Sequence, residues 1–434
     1  MAPLRSAIIL LLTLTPLLLN AQSRAGNDPK RVAADACVTS FMQWQPERLA
    51  ALLHPGLLQL RPIDMWKSFR QQVLNMGGKY LGHRYHRSSR KHDVTTLVYR
   101  VTFARDSLEF LVSIDSLNLV ESFSAEVIEQ TFSYPAPPYA SQSRFTEKKL
   151  TLAVDSARLP ARIAVPKGKG RFPAVVLVHD AGPHDMDMTT GGLKPLRDIA
   201  WGLASRGVVT LRYEKRTRVL GRAFDMRGAT VKQEITDDVR AAVRLLATRR
   251  DVDPSKILVA GYGLGGMTLP DLARADSAVR GIALLSVPGR PLEDVLDAQL
   301  HERLAQMDSS AQDERTRIEQ SVAALARVRK GGASATDIVM GVPASYFYDL
   351  RGRDQVVSAS VLDIPMLLVT AGRDTQVGAV DRDIWARTLG AKKNVRLHFC
   401  ENCSHLLNDT AEAAAMGHVT EEVLTLLAAW AQGR

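Results

Sequence analysis

The sequence predicts a mostly parallel β-sheet covered by helices on both faces, preceded by a small α+β domain. Three observations predict it. From residue 146 to the end, short apolar runs of strand length alternate with amphipathic helical segments. From 29 to 128 the order is instead helices first and strands second. Between the two lies Tyr134-Pro-Ala-Pro-Pro-Tyr139, followed by Ser141 and Ser143, which predicts a linker over 129–145 because prolines hold the backbone extended. A chain of 434 residues is long enough for two cores. Its 46% hydrophobic and 24% charged residues are globular rather than disordered usage.

The first element is not part of the fold. Arg5, the apolar run Ala7 to Leu19 and the small Ala21 describe an export signal over 1–21, with a mature chain beginning near Gln22. The run is short for a bilayer span, and no cysteine follows it to carry a lipid anchor. The expectation is a secreted or periplasmic protein without an integral membrane segment after cleavage. The domain over 29–128 begins with helical spacing at Val32, Cys37, Val38 and Phe41, and again over Met65 to Leu74. Leu97, Tyr99, Val101 and Phe103 then alternate, as do Leu108, Phe110, Val112 and Ile114, with a hairpin turn predicted at Arg105-Asp106. No constellation in this domain has catalytic character.

In the domain over 146–434, Ala174 to Val178 is a near-continuous apolar run, as a strand buried on both faces requires. Val208 to Leu211, Ile257 to Ala260, Ile282 to Leu285 and Met366 to Val369 read alike. Thr230 with Gln233 predicts a capping box, after which Ile235, Val239, Val243 and Leu246 keep helical spacing. A helical insertion over about 288–350 predicts a cap above the C-terminal ends of the strands, where open α/β sheets bind ligands. Val395, Leu397 and Phe399 form one face of a last strand, with His398 on the other. The net charge of +10 is scattered, apart from clusters at His83 to His92 and Lys215 to Arg222. Without a groove-reading motif this predicts a basic solvated surface and no nucleic acid partner. Three cysteines cannot build a disulfide scaffold, although Cys400 and Cys403 can close a small loop. They also sit in His398-x-Cys400-x-x-Cys403-x-His405, but the strand alternation there argues against a metal site.

The string that carries chemistry is Ile257-Leu-Val-Ala-Gly-Tyr-Gly-Leu-Gly-Gly266, a strand entering a glycine-rich turn and leaving as a helix. G-x-S-x-G at such a turn exposes a serine nucleophile. Gly261, Leu264, Gly265 and Gly266 fit that pattern, but the central residue is Gly263. The same residues spell G-x-G-x-x-G, using Gly261, Gly263 and Gly266 as in dinucleotide-binding turns. That alternative requires a carboxylate at the end of the next strand, where this chain has Ser286-Val287-Pro288. No cofactor and no metal are expected.

From about residue 145 onward the chain resembles secreted α/β hydrolases of the serine aminopeptidase-like and esterase group. The strings that carry the resemblance are the turn with Pro270 after it, Val178-His179-Asp180-Ala181-Gly182-Pro183, Leu211-Arg-Tyr-Glu-Lys-Arg-Thr217, Val369-Thr-Ala-Gly-Arg-Asp-Thr-Gln-Val377 and Ser404-His405-Leu406. The resemblance implies an α/β-hydrolase fold that cleaves ester or amide bonds by acyl transfer, with small-molecule or peptide substrates. It implies that Asp374 orients His405, that His405 is the base, and that the N–H groups of Ala181 and Leu264 form the oxyanion hole. It resembles that group with two departures. Glycine at 263 offers no nucleophile, and Asp180 stands where the group has glycine, beside the hole. Three readings follow: a hydrolase-like protein impaired by Gly263 that serves as a binding module, a hydrolase in which His405 activates water in the space left by the missing hydroxymethyl, and an ordinary hydrolase altered at one position. Gly263→Ser is expected to create esterase activity, and Asp180→Gly to raise it further.

Overall fold

The computed structural model describes residues 28–91, 93–104, 107–127, 134–307, 312–410 and 417–434. The expected export signal, the turn at Arg105-Asp106, His92 and the start of the linker lie outside these residues. The chain forms two compact units, Met1–Gln130 and Thr131–Arg434.

The first unit opens with helices α1 (Pro29–Gln43), α2 (Pro46–Leu52), α3 (Pro55–Leu60) and α4 (Ile63–Gly77). The first three begin at a proline, whose fixed φ and missing N–H suit the first helical turn. An antiparallel meander follows, β1 (Tyr80–Lys91), β2 (Val94–Phe103), β3 (Ser107–Ile114) and β4 (Val120–Val127), in that spatial order. Ala34, Cys37, Val38 and Phe41 of α1 pack on Tyr99, Val101, Phe110 and Val112. Strands β1 and β4 escape the sequence reading because β1 is largely polar and the apolar residues of β4 do not alternate regularly. The basic cluster at His83 lies within β1.

The second unit holds an eight-stranded sheet. Its strands are β5 (Phe145–Val154), β6 (Ala157–Pro166), β7 (Phe172–Val178), β8 (Val209–Tyr213), β9 (Val252–Tyr262), β10 (Ile282–Leu285), β13 (Met366–Ala371) and β14 (Val395–Cys400). The order is β14-β13-β10-β9-β7-β8-β6-β5, parallel from β14 to β8 and antiparallel at β6 and β5. Side-chain alternation along buried strands builds two cores. Val176, Leu211, Val259, Leu284 and Leu368 face the side covered by α7 (Asp237–Ala247). Val175, Leu177, Leu258, Leu285 and Leu367 face α5 (Pro195–Ala204) and α15 (Glu421–Ala431). This is an α/β-hydrolase fold. The capping pair appears in part: the Thr230 N–H donates to Gln233 Oε1 at 3.0 Å, and a π-helical turn at Lys232–Thr236 precedes α7.

The turn after β9 begins α8 (Gly263–Met267), followed by α9 (Leu269–Ala275). Short α6 (Arg216–Leu220) follows β8. Between β10 and β13 come α10 (Leu292–Gln306), α11 (Gln312–Arg329), the two-residue strands β11 (Ile338–Val339) and β12 (Val342–Pro343), α12 (Ala344–Arg353) and α13 (Gln355–Ser360). Leu325, Val328, Val339 and Phe347 give this insertion its own core. Helix α14 (Ala379–Leu389) connects β13 to β14. Among the described residues no helix is long and apolar enough to cross a membrane.

One expectation needs correction. Lys215 and Arg216 are only 2% and 6% exposed, so the second basic cluster starts inside the protein rather than on a solvated face. The apolar residues of β14 look outward: Leu397 is 37% exposed and Phe399 45% exposed, because β14 is the edge strand. The Arg382 guanidinium covers the Phe399 ring at 4.3 Å.

Candidate active site

Four strand ends converge. Strand β7 delivers Asp180, β9 delivers Gly263, β13 delivers Asp374 and β14 leads to His405. Gly263 has φ +41°, a left-handed conformation that strains any residue with a Cβ. The helix it opens lies so close to β7 that a Cβ on Gly265 would stand 2.1 Å from the His179 carbonyl oxygen. The strand-to-helix turn thus has the tight, left-handed geometry expected of a nucleophile elbow, with glycine at its centre.

His405 is nearly buried and has a carboxylate on each ring nitrogen. Its Nδ1 lies 2.8 Å from Asp374 Oδ2, and its Nε2 lies 3.0 Å from Asp180 Oδ2. Asp374 is fixed in turn by the N–H groups of Gln376 at 2.7 Å and Val377 at 3.0 Å, both on Oδ1. The His405 loop is tied down from three sides. Ser286, itself at φ +49°, donates its hydroxyl to the His405 carbonyl at 2.7 Å. The Tyr262 hydroxyl donates to the Leu406 carbonyl at 3.1 Å. Cys400 and Cys403 are joined in a disulfide just before the loop, so the His-Cys-Cys-His string is not a ligand set. Among the described residues no cluster of three or more potential ligands could hold a metal.

Asp180 occupies the centre of the site. Its Oδ1 accepts the N–H of Ala181 and the N–H of Leu264, each at 2.7 Å. These are the two groups expected to form the oxyanion hole, and both donate to one carboxylate oxygen of the same chain. A Cβ on Gly263 would lie 2.1 Å from Asp180 Oδ1 and 2.6 Å from Oδ2. The Asp180 carboxylate thus fills both the hole and the volume of a nucleophile side chain. Two sequence-based expectations change. Space left by the missing hydroxymethyl is taken by Asp180, so it does not offer His405 a water to activate. Serine at 263 does not fit while Asp180 is in place, so Gly263→Ser alone is not a route to activity. The Leu264 N–H is equally closed to a nucleotide phosphate.

Electrostatics lock the arrangement. Burial alone would lower the His405 pKa, but the two carboxylates outweigh it and push it up to about 10. Burial would raise the Asp180 pKa, yet His405 and the two N–H donors outweigh that and hold it down at about 2. At neutral pH His405 is an imidazolium and Asp180 a carboxylate. His405 already carries the proton that a base must be free to accept.

Sequence reasoning missed the residues that hold Asp180. Lys215 Nζ donates to the Asp180 backbone carbonyl at 2.9 Å and pairs with Glu234 Oε1 at 2.9 Å. Arg212 Nε bonds Asp187 in the loop after Asp180 at 2.8 Å, and another of its nitrogens bonds Glu147 of β5 at 2.7 Å. Both belong to the Leu211 to Thr217 string, whose charges could have been read as internal because apolar strand residues immediately precede them.

The sequence model of the dienelactone hydrolase family matches residues 159–298. Esterase EstD of Thermotoga maritima is 36% identical over 338 residues, covering 76% of this chain and 78% of the relative. That span is longer than the second unit alone. Among solved structures, the esterase domain of a Rhodothermus marinus protein is 20% identical, covers 66% of this chain and 98% of that one, and has a TM-score of 0.41. Est1E from Butyrivibrio proteoclasticus is 14% identical, with 66% and 99% coverage and a TM-score of 0.44.

Proposed function

This chain belongs to the α/β-hydrolase esterase family that includes EstD of Thermotoga maritima, and on that premise we propose that its site no longer performs serine acyl transfer and has been rebuilt around Asp180. The observation that carries this reading is a single carboxylate oxygen, Asp180 Oδ1, accepting both N–H groups of the oxyanion hole. An ester carbonyl oxygen would have to displace an anion held by two N–H donors and an imidazolium. Charge-assisted hydrogen bonds contribute about 1.5–3 kcal/mol each, so a neutral carbonyl loses that competition. Even with the hole open, loss of the nucleophile serine lowers turnover by about a millionfold.

The ligand class remains that of the family, a small molecule, and the site that meets it is His405 held between Asp180 and Asp374. The charged start, apolar run and small residue over 1–21 support export, so the working protein is a mature chain outside the cytoplasm. One preparation tests both points. Exported protein should have an intact mass corresponding to a start near Gln22. It should show no turnover of short-chain aryl esters or aminoacyl amides and no labelling by a fluorophosphonate. Stoichiometric labelling near the turn would refute the serine-free reading, and retention of residues 1–21 would refute export.

A further inference from the structure

We propose that Asp180 is a covalent nucleophile toward saturated carbon, and that the substrate is a small organic molecule whose primary carbon bears an anionic leaving group such as a halide. The inference rests on the serine-free reading above and names the reaction of the same site.

The two oxygens of Asp180 are differentiated. Oδ1 takes both N–H groups, while Oδ2 faces His405 Nε2 at 3.0 Å and keeps a lone pair free. The Asp180 side chain is 18% exposed, and the adjoining Ala181, Gly182 and Pro183 are exposed, so a small solute can reach it. The choice of saturated carbon follows from the hole. Attack on a carbonyl creates an oxyanion in the first step, when the hole is already filled. Displacement at saturated carbon creates none. The oxyanion appears only afterwards, when the ester formed on Asp180 is hydrolysed. It then develops on Oδ1, already 2.7 Å from two N–H donors, as electrostatic catalysis requires. An oxyanion hole filled by the chain's own carboxylate is a defect for acyl transfer and an asset for this sequence of steps.

The steps balance. A lone pair of Oδ2 forms a bond to the substrate carbon as the bond to the leaving group breaks, and the leaving group departs with that electron pair. Alkylation neutralises Asp180 and removes one of the two charges that hold the proton on His405. The imidazolium releases that proton to solvent, which matches the anion released. Neutral His405, still oriented by Asp374, takes a proton from water as the water oxygen bonds to the Asp180 carboxyl carbon. The tetrahedral intermediate collapses with cleavage of the bond between the carboxyl carbon and Oδ2, and the departing alkoxide takes the proton from His405. The products are an alcohol and the acid of the leaving group, and Asp180 retains one oxygen from water.

The test uses the full mature chain with ethyl, n-butyl and benzyl bromide. The expected result is sustained release of bromide and alcohol above that of Asp180→Asn. A single turnover in heavy-oxygen water should place the heavy atom in the Asp180 peptide and not in the alcohol. His405→Gln should trap the alkyl ester on Asp180, located by peptide mass mapping, with its hydrolysis slowed by about a hundredfold or more. The trapping arm does not depend on Asp180→Asn folding. Absence of bromide release across the three probes, heavy oxygen in the first-turnover alcohol, or an adduct on another residue overturns the proposal. Fluorophosphonate treatment of the same preparation separates the failures. No labelling with no bromide removes the nucleophile and leaves the serine-free reading standing, whereas labelling removes both.

Discussion

Gly263 and Asp180 behave as one exchange made at two positions. The carboxylate sits where a side chain on residue 263 would go, and glycine at 263 is what leaves room for it. The glycine at the turn was legible in the sequence. The destination of Asp180 was not, because its bonds reach across 84 residues to Leu264 and 225 residues to His405. This contact has a pH signature. His405 in the folded protein holds its proton to about pH 10, against 6.5 for an ordinary histidine. Its contribution to stability is therefore fully present below about pH 6.5 and is lost as pH rises toward 10. Asp180 is depressed from 3.8 to about 2, so its contribution is present above 3.8 and lost as pH falls through 2. Urea unfolding midpoints should decline between neutral pH and pH 10, and Asp180→Ala should make that decline shallower by removing one carboxylate. Equal slopes in the two proteins would show that His405 does not hold its proton against Asp180.

Strands set the site through their ends, and the element that does most of this is β8 with the turn after it. Arg212 is fully buried between Glu147 of β5 and Asp187 of the Asp180 loop. Lys215, three residues on, holds the Asp180 carbonyl. Arg212→Met would remove the buried cation between two carboxylates that keep only their partly exposed partners, Arg162 on Glu147 and Arg197 on Asp187, at a cost of about 1–3 kcal/mol. Thermal unfolding should show that loss. Arg212→Lys should recover only part of it, since an ammonium lacks the planar fork that reaches both partners. A loss under about 1 kcal/mol for Arg212→Met would mean the pair is solvated and does not brace the loop. The sequence reading assigned Lys215 to Arg222 to the surface because a run of charges has no local partner to betray its burial. Glu234 and Asp238, which pair with Lys215 and Arg216, lie on the next turn and helix.

Across the whole molecule, the parts that were legible are those written in local pattern. Strands buried on both faces, such as Ala174 to Val178, read as unbroken apolar runs, and their alternation with helices gave the fold class. Asp374 and His405 were placed by the order of short strings, and they meet at 2.8 Å. Strands β1 and β4 were not legible, because polar residues on their exposed positions dilute the apolar signal that marks a strand. On the proposed reading, the frame is that of a serine hydrolase with glycine at the nucleophile position and the Asp180 carboxylate in that side chain's place. The most direct test of this account is the cycle formed by the native chain, Gly263→Ser, Asp180→Gly and the double variant, scored by fluorophosphonate labelling and aryl ester turnover. Only the double variant should react, since it alone combines a nucleophile with an open hole and a His405 freed from its second carboxylate. Gly263→Ser alone should instead lose about 1–3 kcal/mol of stability, because a Cβ enters both a left-handed turn and the Asp180 carboxylate. If Gly263→Ser alone is labelled and turns over esters as well as the double variant does, Asp180 does not occupy the site and the account is wrong.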